Sequence, residues 1–467
     1  MTEQLKLKLN DSKATRWGAL VIVAFTMMAA YYVNDVVAPL KTMLETDLAW
    51  SSTDFGFFTG GYSFLNVFFL MLIWGGLILD RFGIRFTGKL ATILMVGGTA
   101  LEYYAMTGLA GADATFDATL FGINEIFGYK TGVFVAFAGY SIFGVGAEVA
   151  GITVSKIIAK WFKGKELATA MGVQVALARI GSQAGYAVAI PLARAFGIST
   201  PVLLGLVLLL GGMIAFFIFA VMDKKLDKQM EAAAIAAGTE DEEEKFSFKD
   251  VKNILVNPGF WLIALLCVLF YSCVFPFQKF ASELMIIKYG INENVAGTFA
   301  GLPALGALIL TPVFGGFIDK RGKSASIMLL GSAMLICVHF IYAIPDINYW
   351  LVAIVLMIIL GIAFSLVPSA MWPAVAKIFP VSQLGTAYAL IFFIQNIGLW
   401  GIPTLIGWVL DAYCISGKKP DGTNMYDYTV PMCIFTSIAC LSLIVALLLK
   451  KADKKYGYKL EEPNIQK

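Results

Sequence analysis

The chain is poor in charge: only 14% of its 467 residues are Asp, Glu, Lys or Arg, and the formal net charge is +3. Soluble proteins carry about 25% charged residues, so a solvated surface is excluded for most of the length. A net charge this small gives no footing for nucleic acid. Histidine is almost missing, and the single His339 lies in an apolar run, which excludes histidine-rich metal chemistry. The six cysteines, at 267, 273, 337, 414, 433 and 440, form no CxxC pair and no disulfide framework, and read as small core residues. No nucleophile–base set stands out, so no enzyme, catalytic residue, metal or cofactor is expected. The first sixteen residues are polar and of mixed charge, so no cleavable leader is expected either.

What the chain has in excess is apolar. Hydrophobic residues make up 59%, and the mean hydropathy is +0.78. Twelve runs approach or exceed the ~20 residues a helix needs to cross a bilayer. They fall at 17–39, 55–79, 88–108, 131–158, 167–195 and 201–222, then at 259–285, 296–318, 325–344, 350–378, 384–409 and 429–449. Their length, and the need to satisfy every backbone group in lipid, predict helices. The fold class expected is an all-α membrane protein with twelve transmembrane helices in two pseudo-symmetric six-helix bundles. The parts are an N-terminal tail (1–16), a first bundle (17–222), a linker (223–256), a second bundle (257–449) and a C-terminal tail (450–467). Bases gather in alternate loops, at Arg81, Arg85 and Lys89, at Lys160, Lys163 and Lys165, at Lys320, Arg321 and Lys323, and in both tails. The positive-inside rule therefore puts both termini in the cytoplasm. In the linker, the alanine-rich part reads as helix and the acidic run 240–244 as a solvated break.

The two halves repeat each other. Gly76-Leu77-Ile78-Leu79-Asp80-Arg81-Phe82-Gly83 resembles Gly315-Gly316-Phe317-Ile318-Asp319-Lys320-Arg321-Gly322, 239 positions on. Leu167-Ala168-Thr169-Ala170 resembles Leu384-Gly385-Thr386-Ala387, 217 positions on. The difference fits extra residues at 111–130, in the external loop after the third span. Parallel six-span repeats of this kind, with a G-x-x-x-D-(R/K)-x-G loop in each half, resemble the major facilitator superfamily. Asp80, Arg81, Arg85, Asp319 and Lys320 in these loops are the candidate gating residues. Asp80 and Arg85 are expected to latch the cytoplasmic side as the halves rock.

Two charges lie deep in the first bundle. Glu148 precedes Lys160 by twelve residues, and Arg179 follows Lys165 by fourteen. With the intervening turn at the membrane surface, the helical rise puts them about 18 and 21 Å down, past the middle of a core about 30 Å thick. Buried charges in a bilayer are tolerated mainly when they face a cavity, a ligand or each other. The repeat puts Ser365 and Asn396 at the matching positions, so the fold keeps its backbone without these charges. The reading is that Glu148 and Arg179 hold the two ends of a small zwitterion; a structural salt bridge between them is the alternative. Candidate lining residues are Tyr271, Gln278, Trp372, Gln395 and Asn396 in the second half and Tyr32 in the first. Tyr31, Asn34 and Asp35 either line the cavity or end the first helix. Glu102, Lys279 and Glu283 lie nearer the outer ends and are expected to reach headgroups. Prolines at 276, 303, 312, 368, 373 and 403 predict bent helices in the second half.

Further stretches are more specific. Trp161-Phe162-Lys163-Gly164-Lys165-Glu166-Leu167, Ala178-Arg179-Ile180-Gly181-Ser182, Phe270-Tyr271-Ser272-Cys273-Val274-Phe275-Pro276-Phe277 and Ser369-Ala370-Met371-Trp372-Pro373 resemble the superfamily branch that holds lysosomal dipeptide transporters. That resemblance implies a dipeptide uniporter working by alternating access. An acid of the fourth helix would hold the peptide amino group and an arginine of the fifth its carboxylate, at the positions of Glu148 and Arg179. The acid follows Gly146-Ala147 where the branch usually has Gly-Gly. The 111–130 loop sits where the branch's accessory glycoprotein would dock, so that partner is not expected; the lipid bilayer is. The location implied is the cell membrane for a bacterial chain and the lysosomal membrane for a eukaryotic one. The residues themselves leave proton coupling open. Two alternatives remain: a carrier of another organic anion or amino acid, and a receptor or scaffold that transports nothing.

Overall fold

A computed structural model describes residues 8–109, 125–162, 165–237 and 248–463. The first half begins with α1 (Lys13–Val36), capped by Ser12, whose hydroxyl accepts the Thr15 amide. A 3-10 turn, Ala38–Leu40, with Pro39 in its first positions, leads into the short α2 (Lys41–Asp47). A capping box starts α3 (Ser52–Phe68): Ser51 accepts the Asp54 amide and Asp54 accepts the Ser51 amide. Then come α4 (Met71–Thr107), α5 (Thr131–Trp161), α6 (Leu167–Phe196) and α7 (Thr200–Ala237). The connecting α8 (Phe248–Val256) opens the second half, with α9 (Pro258–Tyr289), α10 (Glu293–Ala300), α11 (Leu302–Arg321), α12 (Ser324–Ala343), α13 (Trp350–Ile378), α14 (Val381–Tyr413) and α15 (Thr429–Tyr456). Two small antiparallel hairpins complete the described chain, β1–β2 (Glu125–Ile126 with Tyr129–Lys130) and β3–β4 (Ile415–Lys418 with Asn424–Tyr426).

Nine described helices are long and apolar enough to cross a membrane, ten when the bent pair α3 and α4 is read as one. The helix α6 falls outside that set because Gln174, Arg179, Ser182 and Gln183 dilute its apolar run. Gly83, at φ 75° and ψ 174°, divides α4 into two helices. With α6 and that division the described helices make the twelve spans expected. Gly322, the counterpart of Gly83 in the repeat, ends α11 at φ 70°. Both loops turn through backbone that only glycine enters freely, which explains the last glycine of the repeated motif.

Some boundaries differ from those read in the sequence. The helix α7 runs past 222 to Ala237, because the alanine-rich linker continues it. Pro303 lies in the first turn of α11, after a break at Gly301, where its missing N–H costs nothing. Prolines 276, 312, 368, 373 and 403 lie inside helices, against Pro191 alone in the first half. The acidic run 240–244, most of the 111–130 loop, and Lys163 with Gly164 lie outside the described residues.

The halves meet along two seams, α3 against α14 and α6 against α10 and α11. Both ends of the described chain lie on one face of the molecule, here the terminal face. The turns after α2, α9 and α14 lie on the opposite, far face.

Candidate functional site

Glycines set the helices that carry the two deep charges. Gly146 brings α5 onto α4, where an added Cβ would come 2.8 Å from the Met95 nitrogen, and Gly144 presses against the Tyr62 carbonyl of α3. Gly185 brings α6 onto α1, 2.8 Å from the Tyr32 carbonyl. Small residues let helices approach this closely in lipid. Glu148 and Arg179 are thus held on helices fixed from two sides.

Neither charge is sealed; both are half-buried, and they form no ion pair with one another. Glu148 accepts a hydrogen bond from the Tyr62 hydroxyl at 3.0 Å. The Arg179 guanidinium lies over two rings, 5.6 Å from the centre of Tyr31 on α1 and 4.8 Å from Phe364 on α13. Because α6 and α13 belong to different halves, Arg179 faces the space between them. Phe364 stands edge-on to Tyr271 at 6.2 Å, and Tyr271 lies 6.5 Å from Trp372. Trp372 stacks on Phe392 at 4.8 Å. An aromatic wall of the second half therefore faces the base of the first.

The remaining lining candidates are less free. Tyr32, expected to line the cavity, is turned away: it is buried and donates to the Pro201 carbonyl at 3.2 Å, and it is Tyr31 that lies beside Arg179. Asn396 is buried and gives its amide N–H to Phe392 of its own helix at 2.9 Å. Ser365 bonds Gly361 in the same way at 2.7 Å. The Ser365 hydroxyl and the Asn396 amide N–H, counterparts of the two charges, therefore bond their own helix backbone. Gln395 accepts the Cys267 thiol at 3.5 Å, and Gln278 donates to the Ala300 carbonyl at 3.4 Å.

On the terminal face, Asp80 pairs with Lys156 at 3.1 Å, and Arg85 pairs with Asp227 at 3.3 Å and Asp223 at 3.9 Å. These partners lie in the same half, so the latch expected of Asp80 and Arg85 does not span the halves in this conformation. Arg81 lies over Phe82, Lys320 is exposed and Asp319 is half-buried.

The sequence reading missed the ionic seam of the far face. Glu102, Lys279 and Glu283 do not reach outward; they are 0%, 8% and 1% exposed. Lys41 of α2 bonds both Glu45 and Glu283 of α9, each at 2.5 Å. Lys419, beyond β3, approaches the same two acids at 3.4 and 3.6 Å. The Tyr428 hydroxyl also donates to Glu283. Deeper, Lys279 bonds the Asn34 carbonyl at 2.6 Å and Asp35 at 3.2 Å, and Ser182 donates to Asp35 at 2.5 Å. Asp411 at the end of α14 accepts the Ser52 and Thr53 amides at 3.3 and 2.6 Å, capping α3 of the other half. The signal available was that Lys41 and Lys419 are bases on the side the charge rule leaves poor in them.

Comparison with known proteins agrees with this architecture. The model of the Major Facilitator Superfamily matches residues 20–403, and the chain belongs to that family of membrane transporters. Within it, the chain is 28% identical over 454 residues to the lysosomal dipeptide transporter MFSD1 of Homo sapiens, covering 94% of this chain and 87% of the human protein. The Gallus gallus MFSD1 is 33% identical over 287 residues, 59% of this chain and 62% of that relative. Among solved structures, the nucleoside transporter NupG superposes with TM-score 0.67 at 12% identity, covering 92% of this chain and 98% of its own. A peptide transporter, POT, in complex with sulfate gives TM-score 0.67 at 14% identity, covering 95% of each chain. The protein is thus a multi-pass membrane transporter similar to MFSD1, and not an enzyme.

Proposed function

We propose that this transporter carries dipeptides by alternating access, with Glu148 binding the peptide ammonium and Arg179 its carboxylate. The observation that carries the reading is that an acid and a base sit half-exposed at the meeting of the two halves and do not neutralise each other. Tyr62 orients the acid. Tyr31 and Phe364 hold the guanidinium plane, which suits a two-point grip on a carboxylate. Peptide side chains would then lie against the wall of Tyr271, Phe364 and Trp372, whose apolar faces set size limits and make few polar demands. The similarity to dipeptide transporters supports the substrate class. Positive loop charge supports a cytoplasmic terminal face, which makes this conformation open to the cytoplasm and closed outside.

The test is counterflow into liposomes holding purified protein, comparing a free dipeptide with its N-acetylated and C-amidated forms. Losing one charge-assisted contact is worth about 2 kcal/mol, roughly thirtyfold in apparent affinity. Each capped form is expected to be weaker by that order. Equal counterflow of free and capped peptides would overturn the assignment. Uptake that survives Glu148→Gln but not Arg179→Lys would favour an organic anion instead.

A further inference from the structure

Among the described residues, the buried acids of the far-face seam have bases beside them, with one exception. Lys41 and Lys419 face Glu45 and Glu283, and Lys279 faces Asp35. Glu102 of α4 is left over. It is 0% exposed, and among the described residues neither of its carboxyl oxygens has a partner. Gly98 and Gly139 press α4 and α5 together beside it, so closely that a Cβ on Gly139 would come 2.9 Å from the Glu102 nitrogen. The groups around it can be named. From α5 comes Tyr140, whose hydroxyl donates to the Asn34 carbonyl at 2.8 Å. From the other half comes Lys279, whose ammonium is already taken by Asn34, Asp35 and, at 3.4 Å, the Tyr140 oxygen. From α1 comes Asp35, committed to Lys279 and Ser182. On α4 itself the nearby ionisable side chains are Tyr103 and Tyr104, and the outer turns of α7 from Thr200 to Leu210 carry none.

We propose that Glu102 is a proton-binding site loaded each time the far-face seam closes, so that closure of the transporter on that side consumes one proton. An ionised carboxylate without a hydrogen bond is among the costliest groups to bury, while its neutral form is tolerated. With the seam closed, Lys279 pays its charge to Asp35, and the site is balanced only when Glu102 carries a proton. When the seam parts, Lys279 leaves with the second half and water reaches the cleft between α1, α4 and α5. The Glu102 carboxyl then releases its proton to that water as the hydrated carboxylate. Nothing is oxidised or reduced, and the proton is exchanged with solvent on the far face. Acid on that face therefore favours the closed seam. This departs from simple uniport in making the cycle pH-sensitive, and it rests on the alternating-access reading above.

The experiment measures the distance between spin labels at Asp47 and Asn348, exposed far-face positions on different halves. The full chain is used, with native cysteines replaced, in lipid nanodiscs frozen at several values between about pH 5 and about pH 8. One proton per closure predicts a closed-to-open ratio that falls by up to about tenfold for each unit of rising pH. In Glu102→Gln, which mimics the neutral acid, the ratio is expected to stay flat and closed. Glu102→Asp is expected to restore the slope, which a merely structural role would not do. Two distances in pH-independent proportion, or a slope that survives in Glu102→Gln, would overturn the proton site alone. A single distance under every condition, with and without dipeptide, would overturn alternating access and the proton site together.

Discussion

The two ends of the interface between the halves are made of different materials. On the far face the contact is backbone against backbone. A Cβ added at Gly60 would come 2.7 Å from the Trp400 carbonyl, while Gly297 faces the Tyr186 carbonyl and Gly56 the Pro403 carbonyl. Over that close contact lies the buried Lys41–Glu283 ion pair, which joins α2 to α9. On the terminal face, the same test at Gly76, Gly172, Gly315 and Gly385 meets nothing within 4 Å. There the described ion pairs lie within one half. Arg16 pairs with Glu166 at 2.9 Å, and Lys165 with Asp11 at 2.9 Å, which holds the Asp11 carboxyl below its usual range. The C-terminal segment is fastened to the second half through Glu461, which accepts the Ser326 amide at 2.8 Å. The difference teaches that cross-half charges and glycine contacts join the halves at one end, while the ion pairs described at the other end stay within one half.

That contrast can be broken from its strongest point. Lys41→Met removes the cation shared by two buried acids, and leaving a buried charge unpaired costs about 3–5 kcal/mol. The far seam is expected to open by more than about a hundredfold in population, read as a longer distance between labels at Asp47 and Asn348. An unchanged distance would mean that the glycine contacts alone hold the seam.

A matched glycine pair sharpens the comparison. Gly56→Ala inserts a methyl against the Pro403 carbonyl, and overpacking of this kind costs about 1–3 kcal/mol. Gly76→Ala enters open space and is expected to leave the far seam as it is. Thermal unfolding and the same label distance check both, and equal effects would erase the distinction between the two ends. Smaller still is Asp411→Asn, which weakens a cross-half helix cap worth about 1 kcal/mol, so a several-fold loss of closed population is expected. At the bottom lies Lys156→Ala, which breaks the exposed pair with Asp80. Surface pairs are worth about 0–1 kcal/mol, and a shift larger than the Asp411 effect would show that Asp80 does more than bind locally here.

Much of this architecture was legible in the sequence because lipid allows few alternatives. Long apolar runs have to be helices, and the repeated Asp80–Gly83 and Asp319–Gly322 loops gave away the two halves before any coordinates. The helices that carry Glu148 and Arg179 were legible for the same reason, as apolar runs each holding a single inner charge. The tuning of the two charges was not. Tyr62 and Phe364 are ordinary apolar-helix residues until the helices are packed, and no spacing rule brings α13 to α6. The choice of Tyr31 over Tyr32 depends on how α1 is rotated, which Gly205 and Pro201 on α7 decide by taking up the Tyr32 ring and hydroxyl. The far seam was misread because Glu283 and Lys279 sit within reach of a membrane surface by count. Lys41 and Asp35, which bind them, come from the first half, so the long-range pairing that buries them leaves no local mark.

The most direct measurement crosses the variant with the substrate. Counterflow affinity for a free dipeptide and its N-acetylated form is compared in the wild-type protein and in Glu148→Gln. If Glu148 holds the ammonium, acetylation costs about thirtyfold in the wild type and almost nothing further in the variant. Acetylation that costs the same in both proteins would show that the peptide's amino end lies somewhere else.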